Sequence, residues 1–380
     1  MTNEQGLSRR DLLRASAVVS VAGAVASGTS SIQRSRPPKD TETDRSAAYA
    51  VSMEPVGTVE FDAVPEQWLA YSPGYADMGV ALGVADGLAA VGDRQRYRTD
   101  VYEELPGVGF EDRPAALDGK AGQIDQGSFR DIDADVHLMD PNRLVYESTF
   151  EFNAAAAQEI DAEVGPFVGN AIDSRNQSWH GYRYYTLYEA FEKVAVVFQQ
   201  QERYEAFAAL HDEWLAELQA EMPSASDRPD ALLVRPVGKD TFAPLRIADR
   251  GTSTKQWRDL GVGDALADVG ADELPTGDDG TIGYRTIERI DPDVLLVRGT
   301  ERYSREEFVE RVLDTMRSHE AGQTITAVQD GRVFRGGPSH QGPITNLFAT
   351  ERAVHAIYPD AFDGPLFDRG RVADIVTGQT

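Results

Sequence analysis

Short runs of consecutive apolar residues recur along the chain and predict buried strands. Three lie in the N-terminal half and three in the C-terminal half. They are Trp68–Tyr71, Leu88–Val91, Val136–Met139, Ala231–Val234, Val294–Val297 and Arg332–Phe334. Because such runs are apolar on both faces, they are typical of parallel strands that helices cover on each side. The pattern therefore predicts an α/β fold.

Apolar residues at helical spacing lie between and after these runs. Ser304–Ser318 opens with a serine three residues before a glutamate, the pair of a capping box, and Ile344–Tyr358 ends before a proline. Across Thr186–Met222 the helical period continues without glycine or proline. We predict one helix leading into a second of about 20 residues, about 30 Å long, which together form a rigid connector with small hinge motion.

Two pieces of the N-terminal half recur in the C-terminal half in the same order. "PEQWLAYSPG" (Pro65–Gly74) aligns with "PDALLVRPVG" (Pro229–Gly238), and "IDADVHLMD" (Ile132–Asp140) aligns with "IDPDVLLVR" (Ile290–Arg298). Either match alone is weak and could arise by chance between unrelated strands. Their common order and offsets of 164 and 158 residues predict two similar α/β lobes.

The first 50 residues depart from this pattern. Paired arginines precede an apolar run, Ala15–Ala26, that is shorter than the roughly 20 residues of a membrane span and ends in a small-x-small cleavage site. Residues 1–26 therefore resemble a twin-arginine signal peptide, the alternative being a chance arginine pair before a buried helix. Residues 27–50 are rich in Ser, Thr and Pro without an apolar period, which predicts a disordered tether.

Length and patterning together give a domain plan. The 380 residues, 41% of them hydrophobic, suffice for about two domains. The predicted order is a signal peptide over 1–26, a tether over 27–50, an N-terminal lobe over 51–185, a helical connector over 186–223 and a C-terminal lobe over 224–380.

Composition changes the expected surroundings of the protein. The formal net charge is −26, with only five lysines beside 32 arginines. Dense surface carboxylate keeps a protein hydrated in concentrated salt, so we predict a salt-loving source, an ordinary acidic protein being the alternative. The same charge argues against nucleic acid or an anionic membrane as partner. The chain has no cysteine, which excludes disulfides, thiolate metal sites and a lipidated cysteine.

The strand–turn–helix–strand stretch "VPEQWLAYSPGYADMGVALGVADGLAAVG" is similar to the opening of the periplasmic binding proteins of iron-siderophore and cobalamin ABC importers. "IDADVHLMDP" and "IDPDVLLVRG" resemble that family's Asp-Val strand beginnings, and "GRVFRGGPSHQGP" resembles its last strand and cleft loop. The resemblance covers about residues 55–375. It implies the class III periplasmic-binding-protein fold, two Rossmann-like lobes with parallel sheets joined by a long rigid helix, here of haloarchaeal type. The missing lipidated cysteine and the aromatic stretch "SRNQSWHGYRYYTLY" depart from bacterial members.

The resemblance implies a function outside the cytoplasm. The chain would be the substrate-binding component of an ABC importer, a non-catalytic monomer that delivers a metal chelate to the permease and its ATPase. We favour a ferric siderophore, and ferric hydroxamate, ferric catecholate, haem and cobalamin all stay open as the chelate. The implied ligand is an iron(III) chelate, with no resident cofactor. Export by the twin-arginine route would place the protein at the extracellular face of the cytoplasmic membrane or release it.

Two other classes of function stay open from the residues. One is an exported hydrolase or metal-dependent enzyme on the same bilobal scaffold, and the other is a sensory or structural surface protein. Against an enzyme, "GPSHQG" is one residue too long for a nucleophile elbow, and no P-loop, HExxH or complete GxGxxG motif occurs. The six histidines show no metal-ligand spacing.

Side chains at the carboxyl ends of the predicted strands are the candidate ligand contacts, because ligands of open α/β sheets bind there. In the N-terminal lobe these are Tyr71, Ser72, Tyr75, Asp140 and Arg143. For Ser72, ligand contact and capping of the following helix are equally open. For Tyr75 we favour ligand contact.

In the C-terminal lobe, Arg235, Arg298 and Arg335 each follow an apolar run, so we expect all three to converge on one face of the cleft. A guanidinium group suits carboxylate, phosphate or catecholate oxygens, the alternative being pairs with neighbouring aspartates. His340 follows the last predicted strand and joins this set.

The densest aromatic stretch supplies the remaining candidates, Trp179, His180, Tyr182 and Tyr185. Such a patch suits a flat or bulky chelate. Alternatively, several of these rings cover the junction between connector and lobe.

Overall fold

The fold is described from a computed structural model, which covers residues 48–109, 114–117, 123–175, 177–270 and 280–379. The predicted signal peptide and nearly all of the predicted tether lie outside the described residues. Tyr49 and Ala50, predicted as the end of the tether, instead belong to a strand. Alternate side chains of that strand, Val51 and Met53, are buried, because one face of the strand packs on the apolar core.

The N-terminal lobe carries a small hairpin and a parallel sheet. Strands β1 and β2 form the hairpin, and β3–β6 form the sheet in the order β5-β4-β3-β6. The strands are β1 (Tyr49–Met53), β2 (Gly57–Phe61), β3 (Trp68–Ala70), β4 (Leu88–Val91), β5 (Ala115–Ala116) and β6 (Val136–Leu138). The helices are α1 (Pro73–Ala81), α2 (Gln126–Ile132), α3 (Asn142–Tyr146) and α4 (Ala154–Glu163).

Two helices connect the lobes, α5 (Leu187–Val197) and α6 (Gln201–Glu221). Thr186 begins α5 with a capping box, and α6 is 21 residues long, so the predicted pair of helices is confirmed. Between them Gln199 has φ 54°, a left-handed conformation that interrupts the helical path. The ring of Phe191 in α5 packs against Tyr204 and Phe207 in α6, with centroids 5.3 and 5.9 Å apart. The second helix is therefore braced by the first.

The C-terminal lobe has a mixed sheet in the order β10-β8-β7-β11-β12, with β9 beside the start of β7. Strands β7, β11 and β12 are parallel, whereas β8 and β10 run antiparallel to their neighbours. This differs from the predicted parallel sheet, because a short turn after β7 returns the chain beside it. The strands are β7 (Asp230–Pro236), β8 (Thr241–Leu245), β9 (Gly263–Asp264), β10 (Ile282–Gly283), β11 (Val294–Val297) and β12 (Val333–Arg335).

Helices cover both faces of this sheet. A π-helical turn, Val309–Leu313, lies between α9 and α10 and continues one helical path with them. The helices are α7 (Lys255–Asp259), α8 (Tyr284–Ile290), α9 (Arg305–Phe308), α10 (Asp314–Ser318), α11 (Thr326–Gln329), α12 (Pro343–Ile357) and α13 (Arg369–Thr377). Among the described residues, no helix has the length and apolar character needed to cross a bilayer.

The repeated Ile-Asp-x-Asp motif makes the same contacts in both lobes. Asp133 and Asp291, with φ of 52° and 49°, end α2 and α8 in the left-handed conformation. The carboxylate of Asp135 accepts the backbone N–H of the residue before β3 at 2.8 Å, and that of Asp293 accepts the first N–H of β7 at 2.9 Å. In each lobe the motif ends a helix and fastens the next strand to its parallel neighbour.

The two lobes touch through backbone as well as side chains. Thr252 donates its backbone N–H to the carbonyl of Ile172 at 2.8 Å, and Ser253 donates to that of Asp173 at 3.1 Å. Gly251 lies so close to the opposite lobe that a Cβ there would fall 2.2 Å from the Asp173 carbonyl oxygen. One apolar core also continues from the N-terminal sheet through α5 and α6 to one face of the C-terminal sheet.

Candidate functional site

A cavity of about 820 Å³, the interlobe cleft, lies between the lobes at the carboxyl ends of strands from both sheets. Its volume falls in the range of small-molecule sites. Six arginines line it against four carboxylates, although the whole chain is strongly acidic. The charged lining residues are Asp93, Arg96, Arg143, Glu147, Asp173, Arg175, Arg246, Asp249, Arg250 and Arg298, with His340 beside them.

On the N-terminal wall, Arg143 is buried between two carboxylates. Its Nη1 lies 2.7 Å from Glu147 Oε1, and its Nη2 bonds to Asp173. Burial alone would lower the pKa of Arg143, but the charges of Asp173 and Glu147 hold it above its ordinary value. Arg143 in turn lowers the pKa of Asp173 against the effect of burial. Tyr71, a predicted contact, lines the cleft with its ring 5.7 Å from the Arg143 guanidinium carbon.

His340 joins the last cleft loop to the N-terminal lobe. Its Nδ1 lies 3.1 Å from Ser72 Oγ, and its Nε2 lies 3.4 Å from a carboxylate oxygen of Asp93. Ser72 also caps α1 by accepting the N–H of Gly74 at 3.4 Å. Burial raises the pKa of Asp93, but the neighbouring His340 and nearby arginines more than offset it and hold that pKa below its ordinary value. Of the two roles left open for Ser72, the structure shows the cap, whereas His340 lines the cleft as predicted.

On the C-terminal wall, Arg298 pairs with no carboxylate of the described residues. Its guanidinium donates to the carbonyl of Ser253 at 2.7 Å, and among the described residues its buried Nε has no partner. Burial lowers the pKa of Arg298 to about 10. The carboxylate of Asp249 accepts the backbone N–H of Arg175 at 3.1 Å, and Arg250 is exposed. This wall therefore carries more positive than negative charge.

The three predicted arginines of the C-terminal lobe do not converge, so that prediction is wrong. Only Arg298 lines the interlobe cleft. Arg235 is exposed and lies opposite Ala243 in the β7–β8 ribbon, because β7 continues past the predicted strand end. Arg335 donates to the carbonyl of Tyr303 at 2.9 Å and lines a different cavity, because β12 is the edge strand of its sheet.

Two predicted contacts in the N-terminal lobe belong to the core. Tyr75 is 2% exposed, and its hydroxyl donates to the carbonyl of Asn170 at 3.0 Å, because all nine residues of α1 are buried. Asp140 is 1% exposed and accepts the backbone N–H groups of Asn142 and Ala171, each at 3.0 Å. Burial raises the pKa of Asp140. Both side chains hold loops in place rather than facing the cleft.

The aromatic stretch packs on itself and on the N-terminal lobe. The rings of Trp179 and His180 stack with centroids 5.8 Å apart, and the Tyr182 hydroxyl donates to Asp140. The Tyr185 hydroxyl accepts a backbone N–H from the β1–β2 turn at 3.0 Å. None of these four aromatic residues lines the interlobe cleft. Their contacts lie within the stretch itself and with the N-terminal lobe.

Sequence reasoning missed most of the charged cleft residues. A signal for some of them exists in the arginine-rich stretches "GDRQR" and "RIADR" just after β4 and β8. No such signal marks Glu147, which ends α3, or Asp173 and Arg175, which lie in the loop between α4 and α5. Within the described ranges, no group of three or more His, Cys, Asp or Glu side chains is placed to hold a metal ion.

Comparison with known proteins gives one family. A family model described as periplasmic binding protein matches residues 69–339, well over half of the chain, from β3 to the loop after β12. No protein of curated function matches the chain in sequence.

Three solved structures share the fold of this chain, and each match extends over nearly the whole of the solved structure. A periplasmic binding protein from Veillonella parvula is 15% identical, with a TM-score of 0.60 over 83% of this chain and 99% of that one. The petrobactin-binding protein YclQ from Bacillus subtilis is 13% identical, with a TM-score of 0.57 over 82% and 99%. The iron-uptake ABC transporter substrate-binding protein PiuA from Streptococcus pneumoniae is 14% identical, with a TM-score of 0.55 over 82% and 99%. The predicted fold class is confirmed.

Proposed function

The chain belongs to the periplasmic binding protein family, whose members bind substrates rather than transform them, and we propose that it is the substrate-binding component of an ABC importer. It takes a small molecule into the interlobe cleft outside the cytoplasm and delivers it to a permease and its ATPase. Two similar structures support this direction, since one is described as petrobactin-binding and another as part of iron uptake. We also propose a monomer exported by the twin-arginine route into salty surroundings.

The proposed ligand is a negatively charged iron(III) chelate, a ferric siderophore. The observation that carries this choice is the charge of the cleft, six arginines against four carboxylates in a chain of net charge −26. Two of those carboxylates, Asp173 and Glu147, are already bound to Arg143. The surplus positive charge therefore lies near Arg298, which lines the cleft and whose buried Nε has no partner among the described residues.

The guanidinium groups of the cleft favour chelated iron over a free iron cation. They attract carboxylate and catecholate oxygens in a bidentate geometry and repel a bare metal cation. Iron would enter this cleft already wrapped by a chelator whose outer surface is anionic.

Native mass spectrometry of protein purified from its own host tests the proposal directly. We expect a retained molecule whose mass includes iron and which dissociates on denaturation. Retention of an iron-free molecule would exclude the proposed ligand.

A titration of the protein with ferric chelates, followed by tryptophan fluorescence, tests the role of charge. We expect an anionic tris-catecholate complex to bind more tightly than a neutral tris-hydroxamate complex. Arg298→Gln should remove that preference, whereas the matched exposed variant Arg235→Gln should keep it. Equal affinity for the two complexes in the unmodified protein would contradict the charge argument.

A further inference from the structure

A second cavity of about 700 Å³, the outer pocket, lies along the edge strand β12 between the α9–α10 segment and α12. It shares no lining residue with the interlobe cleft. The loop after β12 separates the two, with Gly337 and Pro338 facing the outer pocket and Ser339 and His340 facing the cleft. The outer pocket is therefore a separate site, and a ligand bound there would be additional to the one proposed for the cleft.

The charges around the outer pocket are almost all positive. Glu301 is the single carboxylate among its lining residues, against five arginines, Arg98, Arg305, Arg317, Arg335 and Arg352. This balance is opposite to that of the chain as a whole.

Arg335 is the arginine of this set best placed to hold an anion. Arg98 and Arg352 already bind the carboxylates of Asp100 and Glu104. Arg335 is half-buried, and among the described residues it donates only to the carbonyl of Tyr303 and has no carboxylate within 4.0 Å. Burial and the charges of Arg352 and Arg98 lower its pKa, as expected for a cation lacking a counter-charge.

Most of the remaining lining is apolar, with Thr345 and His355 as the polar exceptions among the described residues, and it includes an irregular helical turn. Val309 and Leu313 in the π-helical turn line one side, and Phe348 and Ala353 in α12 line another. Phe334 of β12 lies between them. Single π-helical turns are rare and occur frequently at functional sites. A pocket with an apolar lining and a few convergent polar groups is the usual form of a small-molecule site.

We propose that the outer pocket binds an amphiphilic anion, a carboxylate or phosphate head on a hydrocarbon chain, with the head at Arg335 and the chain between the π-helical turn and α12. The head supplies the counter-charge that Arg335 lacks. The chain takes the partly exposed apolar surface of Val309, Phe334 and Ala356 out of water, which favours binding in proportion to the area buried.

Calorimetric titration with decanoate tests this proposal at fixed salt concentration. Decanoate should bind at least tenfold more tightly than butyrate, which lacks the chain, and than decanol, which lacks the charge. Arg335→Gln should weaken decanoate binding about tenfold or more, the effect of one charge-assisted hydrogen bond. Val309→Trp should block the pocket and abolish binding.

Two controls keep the result specific. Arg311→Gln changes an exposed arginine on the same helical path that does not line the pocket, and it should leave decanoate binding unchanged. Arg298→Gln in the interlobe cleft should also leave it unchanged, so failure of this proposal and failure of the cleft function are distinguishable. Each variant is first checked by thermal melting. Decanoate binding that survives both Arg335→Gln and Val309→Trp, or decanol binding as tight as decanoate, would overturn the proposal.

A vesicle arm identifies the source of the anion. If vesicles of phosphatidylglycerol retain the protein through Arg335 and phosphatidylcholine vesicles do not, the head belongs to a membrane lipid. If neither retains the protein while decanoate binds through Arg335, the occupant is a free amphiphile. Retention by phosphatidylglycerol that Arg335→Gln does not change would count against the pocket as the cause.

Discussion

Each wall of the interlobe cleft contains a buried arginine, and the two arginines have opposite charge environments. Arg143 on the N-terminal wall sits between Glu147 and Asp173, and its pKa is raised. Arg298 on the C-terminal wall donates to a backbone carbonyl and, in the part of the chain that the structure describes, pairs with no carboxylate, and its pKa is lowered to about 10. Both line the same cavity.

This contrast separates charge that is structural from charge that is free to act. A buried ion that is satisfied within the protein stabilises the wall but offers little to a ligand, whereas a buried ion without a counter-charge is costly until a ligand supplies one. Substitutions on the two walls should therefore separate stability from affinity.

The greatest change should be in stability, from Arg143→Met. This substitution leaves Asp173 and Glu147 without their cation, and breaking such a buried pair costs about 3–5 kcal/mol of unfolding free energy. Urea unfolding measures it, with the exposed variant Arg235→Met as control. A loss of unfolding free energy no greater than the control's would mean that the stability of the N-terminal wall does not depend on Arg143 and its two carboxylates.

The second effect is on affinity, from Arg298→Gln. Loss of one charge-assisted hydrogen bond should weaken binding of the anionic ferric chelate to the protein about 10- to 150-fold. Unfolding free energy should fall by only about 1 kcal/mol, since one hydrogen bond to Ser253 changes. Fluorescence titration and urea unfolding on the same sample give both values. A stability loss without an affinity loss would assign Arg298 to the scaffold and reverse the roles of the two walls.

The third effect appears in the pH dependence of stability, from Asp173→Asn. The folded-state pKa of Asp173 lies below its ordinary value of 3.8, so its contribution is fully present above that value and is lost as pH falls through the folded-state pKa. The gap in unfolding free energy between the unmodified protein and the variant should therefore shrink on acidification below about pH 4. A gap that stays constant from pH 6 to pH 3 would show that the carboxylate charge is not what stabilises the wall.

The smallest expected effect is that of salt concentration on the melting temperature. Screening relieves repulsion among the excess carboxylates, so the melting temperature should rise from low to molar KCl. The same screening should weaken the attraction of an anionic chelate to the C-terminal wall. Across one salt series the melting temperature should rise while the affinity for the anionic chelate falls. A melting temperature that stays flat or falls would contradict the expected relief of carboxylate repulsion.

Much of the framework could be predicted from local patterns. Leu88–Val91 and Val294–Val297 match their strands, and the capping serine of the Ser304–Ser318 segment makes its two bonds. These features depend on residues close together in sequence, where periodicity and capping chemistry decide the outcome. The repeated aspartate motif is visible for the same reason.

The site was harder to predict, because cleft lining depends on how loops from distant strands meet. Tyr75 and Asp140 stand beside predicted strand ends, yet neighbouring elements bury them. Arg335 is the last residue of β12, a strand predicted one residue too early, and that strand lies at the sheet edge, which no local pattern reveals. Arg298 and Arg335 look equivalent in sequence and occupy different cavities.

The close contact at Gly251 has a consequence for the speed of ligand exchange. With two backbone hydrogen bonds between the lobes beside it, the cleft floor cannot widen without breaking both. A cleft assembled before the ligand arrives loses little conformational entropy on capture. Association should then be set by diffusion and charge steering rather than by a slow closing step. A bulkier residue at this position would separate the lobes, because its Cβ would clash with the Asp173 carbonyl. Binding would then require a closing step, so the kinetic trace of ligand binding should change from one phase to two.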